Sequence, residues 1–179
     1  SSNSDRVVQK ARSLGDEEMA ESDYILDVEG VKGEYQDKQG GGTYDDKIRV
    51  ESWSWGCMNP GTYGEGTSGG GARGTPEDLI VNKFYDCASA ELMKKSLTGE
   101  TTPKVTLIER TWHGPDSALE TLKVELTDVV MAGVSMSGSD GGAMETLTFN
   151  FRKLKVTYTP QKDDGSPGTP VPFEFERTG

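Results

Sequence analysis

Lys47-Ile-Arg-Val-Glu-Ser-Trp-Ser-Trp-Gly56 decides how this chain of 179 residues is read. Ile48 and Val50 alternate at period two, which places them on one face of a strand. Trp53 and Trp55 alternate as well, but with the opposite parity. A β-bulge around Glu51–Ser52 would bring all four side chains inward; without one, the sheet must be covered on both faces. Either arrangement suits a barrel or an oligomer, in which little sheet surface is left free. The chain then enters 57–74, a polar segment dense in glycine. Usual connections run to about five residues, so this one is expected to project and to touch something.

The neighbouring segments extend the β reading on both sides. Upstream, Tyr24, Leu26 and Val28 share a face, Gly30 and Gly33 end that strand, and 34–46 reads as loop. Downstream, Leu79, Val81 and Phe84-Tyr85 suggest another strand. Residues 87–98 are the best helix candidate, with Leu92, Met93, Ser96 and Leu97 as a narrow apolar stripe. Asp86 or Ser89 stands where a cap belongs, and Gly99 sits at the C′ position. From Val105 on, the pattern is strands again. Leu122, Val124 and Leu126 alternate until Val129-Val-Met131 breaks the phase. Leu147, Phe149 and Phe151 have one parity, and Leu154, Val156 and Tyr158 the other, which implies a bend near Arg152. Val171, Phe173 and Phe175 follow a turn-rich Pro160–Pro170 segment. One helix of about ten residues cannot build a layer. The expectation is a mostly β domain over 23–177, a compact β-barrel of two antiparallel sheets with one short flanking α-helix. Residues 1–22 form a polar N-terminal arm. Val7, Val8, Ala11 and Leu14 sit at helical spacing, so that arm is either a short helix or disordered.

Composition narrows the function. Thirty acids against 19 bases give a formal charge of −11, and Lys and Arg are scattered. That argues against nucleic acid as a ligand, since backbone binding needs a cationic footprint. No apolar run approaches the roughly eighteen residues of a membrane span, and the N-terminal segment lacks the apolar core of a cleaved leader.

The chemistry-bearing residues are few. Gly64-Glu-Gly-Thr-Ser-Gly69 matches a dinucleotide-binding pattern in letters only. That motif needs a strand just before it and a helix opening at its third glycine, and Asn59-Pro60-Gly61 and Gly69-Gly-Gly71 allow neither. His113, the only histidine, lies in a turn, and no GxSxG elbow supplies a serine for it. Cys57 and Cys87 with one histidine fall short of a zinc ligand set; they read as reduced thiols, with a single disulfide as the alternative. Acid pairs such as Asp45-Asp46 and Asp163-Asp164 sit in loops and read as solvated surface. No catalytic, cofactor or metal residues are assigned. Trp53 and Trp55 share one strand face and read as core or subunit contact.

At this point the residues resemble a family. Asp27-Val-Glu-Gly-Val-Lys-Gly-Glu34, the double-tryptophan strand, the glycine-rich run to Gly74 and Pro76-Glu-Asp-Leu79 resemble the haemolysin-coregulated proteins, Hcp, of type VI secretion systems. So do Val81-Asn-Lys-Phe-Tyr-Asp86 leading into Ala90-Glu-Leu-Met93, Lys104-Val-Thr-Leu-Ile108, Leu147-Thr-Phe-Asn-Phe151 and Val156-Thr-Tyr-Thr-Pro-Gln-Lys162. The resemblance spans 23–176 and leaves 1–22 ahead of the family's usual start. It implies a structural protein and no enzyme: a barrel that forms homohexameric rings with a wide hole. Its rings stack into a tube inside a contractile sheath, with a spike protein at the tip. Small effector proteins are carried in the lumen. Assembly takes place in the bacterial cytoplasm, and the tube leaves for the extracellular space or a target cell without a signal peptide. No toxin domain is expected after the barrel. Assembly contacts are expected at Trp53, Trp55, Glu65 and Arg73, the last two because they are the only charges in the loop that would join ring to ring. A tail-tube protein of a phage or phage-derived contractile particle is the alternative. A secreted β-barrel effector with enzymatic activity is a further one, which lacks a reactive site in this sequence.

Overall fold

The computed structural model describes residues 22–61, 74–113 and 117–177. The elements in chain order are β1 (Ser22–Val28), β2 (Ile48–Val50), β3 (Ser52–Ser54), β4 (Cys57–Met58), β5 (Thr75–Pro76), β6 (Leu79–Phe84), α1 (Ser89–Thr98), β7 (Thr101–Trp112), β8 (Ala118–Ser139), β9 (Gly142–Tyr158) and β10 (Val171–Glu176). Their antiparallel pairing makes two sheets of unequal size. The larger runs β2-β1-β7-β8-β9-β6-β3, with β10 added beside β9, and the smaller is the β4–β5 ribbon.

The two ends of that order, β2 and β3, are separated by Glu51 alone, so one continuous stretch closes the sheet into a barrel. Val50 faces Tyr24 of β1, while Ser52 faces Asn82 of β6. At the junction the Glu51 amide donates to the Asn82 carbonyl at 2.9 Å. Ile48 and Val50 are buried, Glu51 and Ser52 are both exposed, and Trp53 is turned inward against the core. The parity change in the sequence therefore marks where the strand changes partners.

The same device recurs on the long β8–β9 hairpin. Thr127 faces Lys153 and Val129 faces Phe151. Asp128 and Arg152 lie between these pairs and step out together. Asp128 has a φ of 52°, and its carboxylate accepts from Arg152 Nε at 2.7 Å. The phase break at Val129 and the bend near Arg152 are thus one event on paired strands. It keeps Leu126, Val129, Phe151 and Leu154 all buried.

β7 is covered on both faces, since Val105, Thr106, Leu107 and Ile108 are all buried. Val105 and Leu107 point into the barrel core. On the other face lies the segment 29–47, tied back by Tyr35 N–H to Lys47 O at 3.0 Å and Gly33 N–H to Asp46 O at 2.7 Å. Gly33 sits so close to the Lys47 carbonyl that no Cβ fits there.

The helix α1 ends at Gly99, whose φ of 70° and N–H bond to Lys95 O form the expected C-terminal stop. Its buried face differs from the apolar stripe. Leu92 is fully buried, but Leu97 is 88% exposed and Lys95 only 6%. The reason is electrostatic: polar bonds at the first turn orient the helix, as described below, and outweigh a single leucine. The N-terminal arm of 1–22, expected to be either helical or disordered, falls outside the described residues except for Ser22, which begins β1.

Candidate assembly site

Of the four sequence-predicted contact residues, the structure places two. Trp53 and Trp55 are half-buried and pack on the core. Trp53 meets Tyr24 edge to face, with centroids 6.5 Å apart. Trp55 Nε1 donates to Glu77 O at 3.0 Å. This bond, with Glu77 N–H to Gly56 O at 2.9 Å, holds the start of the β4–β5 ribbon. Met58 pairs with Thr75 in that ribbon, so the glycine-rich segment leaves and returns at one point, beside the exposed Met58. Glu65, Arg73 and the 64–69 glycine pattern lie outside the described residues.

The outside of the barrel divides into two chemistries. One half carries an alternating charge ladder: Lys104–Glu125 at 2.8 Å, Lys155–Glu174 at 3.3 Å and Lys153–Glu176 at 3.0 Å. The Lys104 bond holds the Glu125 carboxyl below the usual range. The other half, where β6 meets the start of β9, is uncharged from Ile80 to Phe84. Ile80 faces Thr148, Asn82 faces Thr146 and Phe84 faces Met144. Three of its polar side chains are linked, with Thr146 Oγ1 donating to Asn82 Oδ1 at 2.7 Å and Asn82 Nδ2 to Ser52 Oγ at 3.0 Å.

A third surface lies at the β10 edge of the sheet. Past Leu154, β9 stays paired with both β8 and β10, Val156 still packs on the core, and the inward face becomes exposed toward Tyr158. Phe175 opposite Leu154 is covered, whereas Phe173, Tyr158 and Val171 are 54%, 52% and 61% exposed.

Two buried ion clusters, which the sequence reading missed, hold these surfaces in place. Lys83 has no exposed surface. Its Nζ contacts Glu145 Oε2 at 2.8 Å, Asp86 Oδ1 at 2.8 Å, Ser89 Oγ at 3.2 Å and Phe84 O at 2.9 Å. Ser89 Oγ also donates to Glu145 Oε2 at 2.8 Å, and Asp86 Oδ1 accepts from the Ala88 amide at 2.9 Å. The cluster fastens the start of α1 to β6 and β9. Its signal was parity: Lys83 continues the inward series Leu79, Val81, and Glu145 precedes Leu147, Phe149.

The second cluster centres on Arg110 of β7. Its guanidinium donates to Asp37 at 2.9 Å, Asp23 at 3.1 Å and the Tyr35 hydroxyl at 2.9 Å. The rings of Tyr44 and Trp112 lie 5.1 and 5.0 Å from its central carbon. Trp112 Nε1 donates to Asp23 Oδ2 at 2.7 Å, and Tyr44 OH bonds Glu120 of β8. Burial and the Asp23 carboxylate push the Tyr35 hydroxyl above its ordinary pKa. Gly40 lies against Asp37 and Arg110 with no room for a Cβ.

The reactive residues adjoin these clusters without joining their bonds: Cys87 follows Asp86, and its thiol faces the Lys32 carbonyl at 3.6 Å. His113 is exposed after β7, with its amide bonded to Ser117 O at 2.9 Å. Cys57 and Cys87 are exposed free thiols. Desolvation, then Asp86 and Glu34, push the Cys87 thiol up, which lowers its thiolate fraction and hence its nucleophilicity at neutral pH. Among the described residues, no three His, Cys, Asp or Glu side chains are grouped as metal ligands. No helix among them is long and apolar enough to cross a membrane.

Comparison with known proteins gives a consistent result. A family model described as type VI secretion system effector, Hcp, matches residues 25–158. The chain is 34% identical over 154 residues to protein hcp1 of Pseudomonas aeruginosa, covering 84% of this chain and 92% of that protein. A solved structure of a type six secretion system protein is similar over 87% of this chain and 96% of its own, at 26% identity and a TM-score of 0.77. Hcp1 from Salmonella typhimurium is similar over 88% of this chain and 95% of its own, at 27% identity and a TM-score of 0.69.

Proposed function

We propose that this chain, which belongs to the Hcp family of type VI secretion systems, is the repeating subunit of such a system's inner tube. Six copies close into a ring, and rings stack inside the sheath behind a spike. Small effectors travel in the lumen, and the tube is expelled from the cytoplasm that assembled it. The observation that carries this reading is the extent of the family match, from β1 to the last residue of β9. The uncharged face and the exposed Tyr158, Val171 and Phe173 support it, because an isolated subunit gains nothing from leaving apolar surface bare.

Native mass spectrometry at micromolar concentration and physiological salt tests the ring. A six-copy species is expected, and a monomer alone would overturn the reading. Each copy carries a formal −11, so association should strengthen as added salt screens repulsion.

Trp53, Trp55, Glu65 and Arg73 remain the proposed contact residues. The loop between Cys57 and Thr75 is assigned to stacking, since ordering so much glycine is costly without a compensating surface. Replacing residues 64–72 by a short Gly-Ser link should leave rings intact and abolish stacks in electron micrographs. Loss of rings instead would move the loop to the lateral contact.

A further inference from the structure

We propose that Arg177 sets the bearing of the β4–β5 ribbon on the barrel, as a latch through which the seating of β10 positions the ribbon for stacking. The link to stacking rests on the tube reading; the latch itself does not.

The bonds within the ribbon fix its twist and not its direction. Cys57 pairs with Pro76 and Met58 with Thr75. At its root the Glu77 amide donates to Gly56 O at 2.9 Å, and Trp55 Nε1 donates to Glu77 O at 3.0 Å. Each of these bonds joins one arm to the other. A two-stranded ribbon is marginal by itself, and one this short is free to swing about its root. Among the described residues, one side chain donates to it from elsewhere in the fold: Arg177 Nη2 bonds Pro76 O at 3.2 Å.

Arg177 is held for that reach from several sides. Its own amide donates to Arg152 O at 2.9 Å. Glu176 before it pairs with Arg152 at 2.6 Å and with Lys153 at 3.0 Å. The guanidinium lies over Phe151, with its central carbon 5.3 Å from the ring centroid. Phe151 is buried, so the cation rests directly on the core. Asp78 Oδ1, 3.8 Å from Nη2, supplies countercharge and is itself fixed by Asn150 Nδ2 at 2.7 Å. Arg177 Nε is buried with no acceptor among the described residues, which is unfavourable. Pairing of β10 does not require that placement, since β10 bonds β9 from Val171 to Glu176 without it. What the guanidinium adds is a link from the last strand to the ribbon.

The test compares the full chain with its Arg177→Ala, Arg177→Lys and Arg177→Met variants, with thermal unfolding to check that each folds. Amide hydrogen exchange over residues 56–60 and 75–78 should quicken in the alanine variant by about three- to tenfold, the factor carried by one ordinary hydrogen bond. β7 should exchange as in the parent. Native mass spectrometry should show rings as in the parent, and electron micrographs should show fewer and shorter stacks. Lysine keeps a cation and one donor, so it should restore ribbon protection and stacks in large part; methionine keeps only the packing and should restore neither. Unchanged exchange in the ribbon of the alanine variant overturns the latch. Equal quickening in β7 would make Arg177 a general stabiliser of the barrel, and rescue by methionine would make it a packing residue; either overturns the proposal. A loosened ribbon that stacks like the parent overturns the link to stacking. A parent that forms neither rings nor stacks would sink the tube reading, while the exchange result would still decide the latch.

Discussion

Lys83→Met is expected to destabilise the folded subunit by about 3–5 kcal/mol, the usual cost of removing one partner from a buried ion pair. The methionine fills the space but leaves Glu145, 1% exposed, as a buried carboxylate without its cation. Asp86 loses the same partner. For a chain of this size the loss amounts to a fall of roughly 10 °C in Tm, and urea unfolding should show a lower midpoint with an unchanged slope. Adding Glu145→Leu should recover much of the loss, because replacing both charges by apolar groups can be nearly neutral. A single variant within about 1 kcal/mol of the parent would mean that the cluster is solvated, and the account of how α1 is held would fail with it.

Arg110→Met should cost a similar amount, about 3–5 kcal/mol, but with a local signature. Asp37 is 2% exposed and depends on Arg110 for its countercharge. Its carboxylate in turn accepts the Gly40 and Tyr44 amides at 3.0 and 3.2 Å. Losing the guanidinium should therefore release the whole turn. Amide hydrogen exchange at residues 37–47 should accelerate well beyond the change in β8 and β9, which do not touch the cluster except through Glu120. Uniform acceleration across the barrel would show that the turn is not a separate unit held by Arg110.

Much of the barrel was legible because strand parity is a hard constraint. A one-residue slip sends every side chain to the other face, so a change of phase in a buried strand must be a structural event. The breaks at Glu51–Ser52, at Val129-Val-Met131 and near Arg152 were visible in the apolar residues on either side, and the structure places the second at Asp128. The partners were less legible. Nothing in Val50-Glu51-Ser52 says that the two halves serve β1 and β6, because that depends on contacts remote in sequence. The ion clusters were missed for a related reason. Lys83 lies at the end of an apolar series, where a charged residue ordinarily marks the strand's exit to solvent, and Glu145 opens another such series. Only their juxtaposition across β6 and β9 makes either one a core residue. Hydrophobicity alone does not predict the face of α1, because Ser89 and its carboxylate partner Glu145 orient the helix. The tryptophans were read as core or contact, and they pack on the core. Their part in assembly rests on the surfaces around them.

The joint at Glu51 also sets a timetable for synthesis. A sheet closed on itself cannot be completed from either end as it emerges. Val28 pairs with Val105, about 80 residues further on, which the ribosome delivers roughly 4–16 s later at 5–20 residues per second. Leu79 waits similarly for Phe149. Over that interval the double-tryptophan strand is out of the ribosome with neither neighbour's surroundings finished. Such non-local pairing makes for slow folding, so the nascent chain should depend on chaperones until β9 has been made, and the barrel should then close in one late, cooperative step.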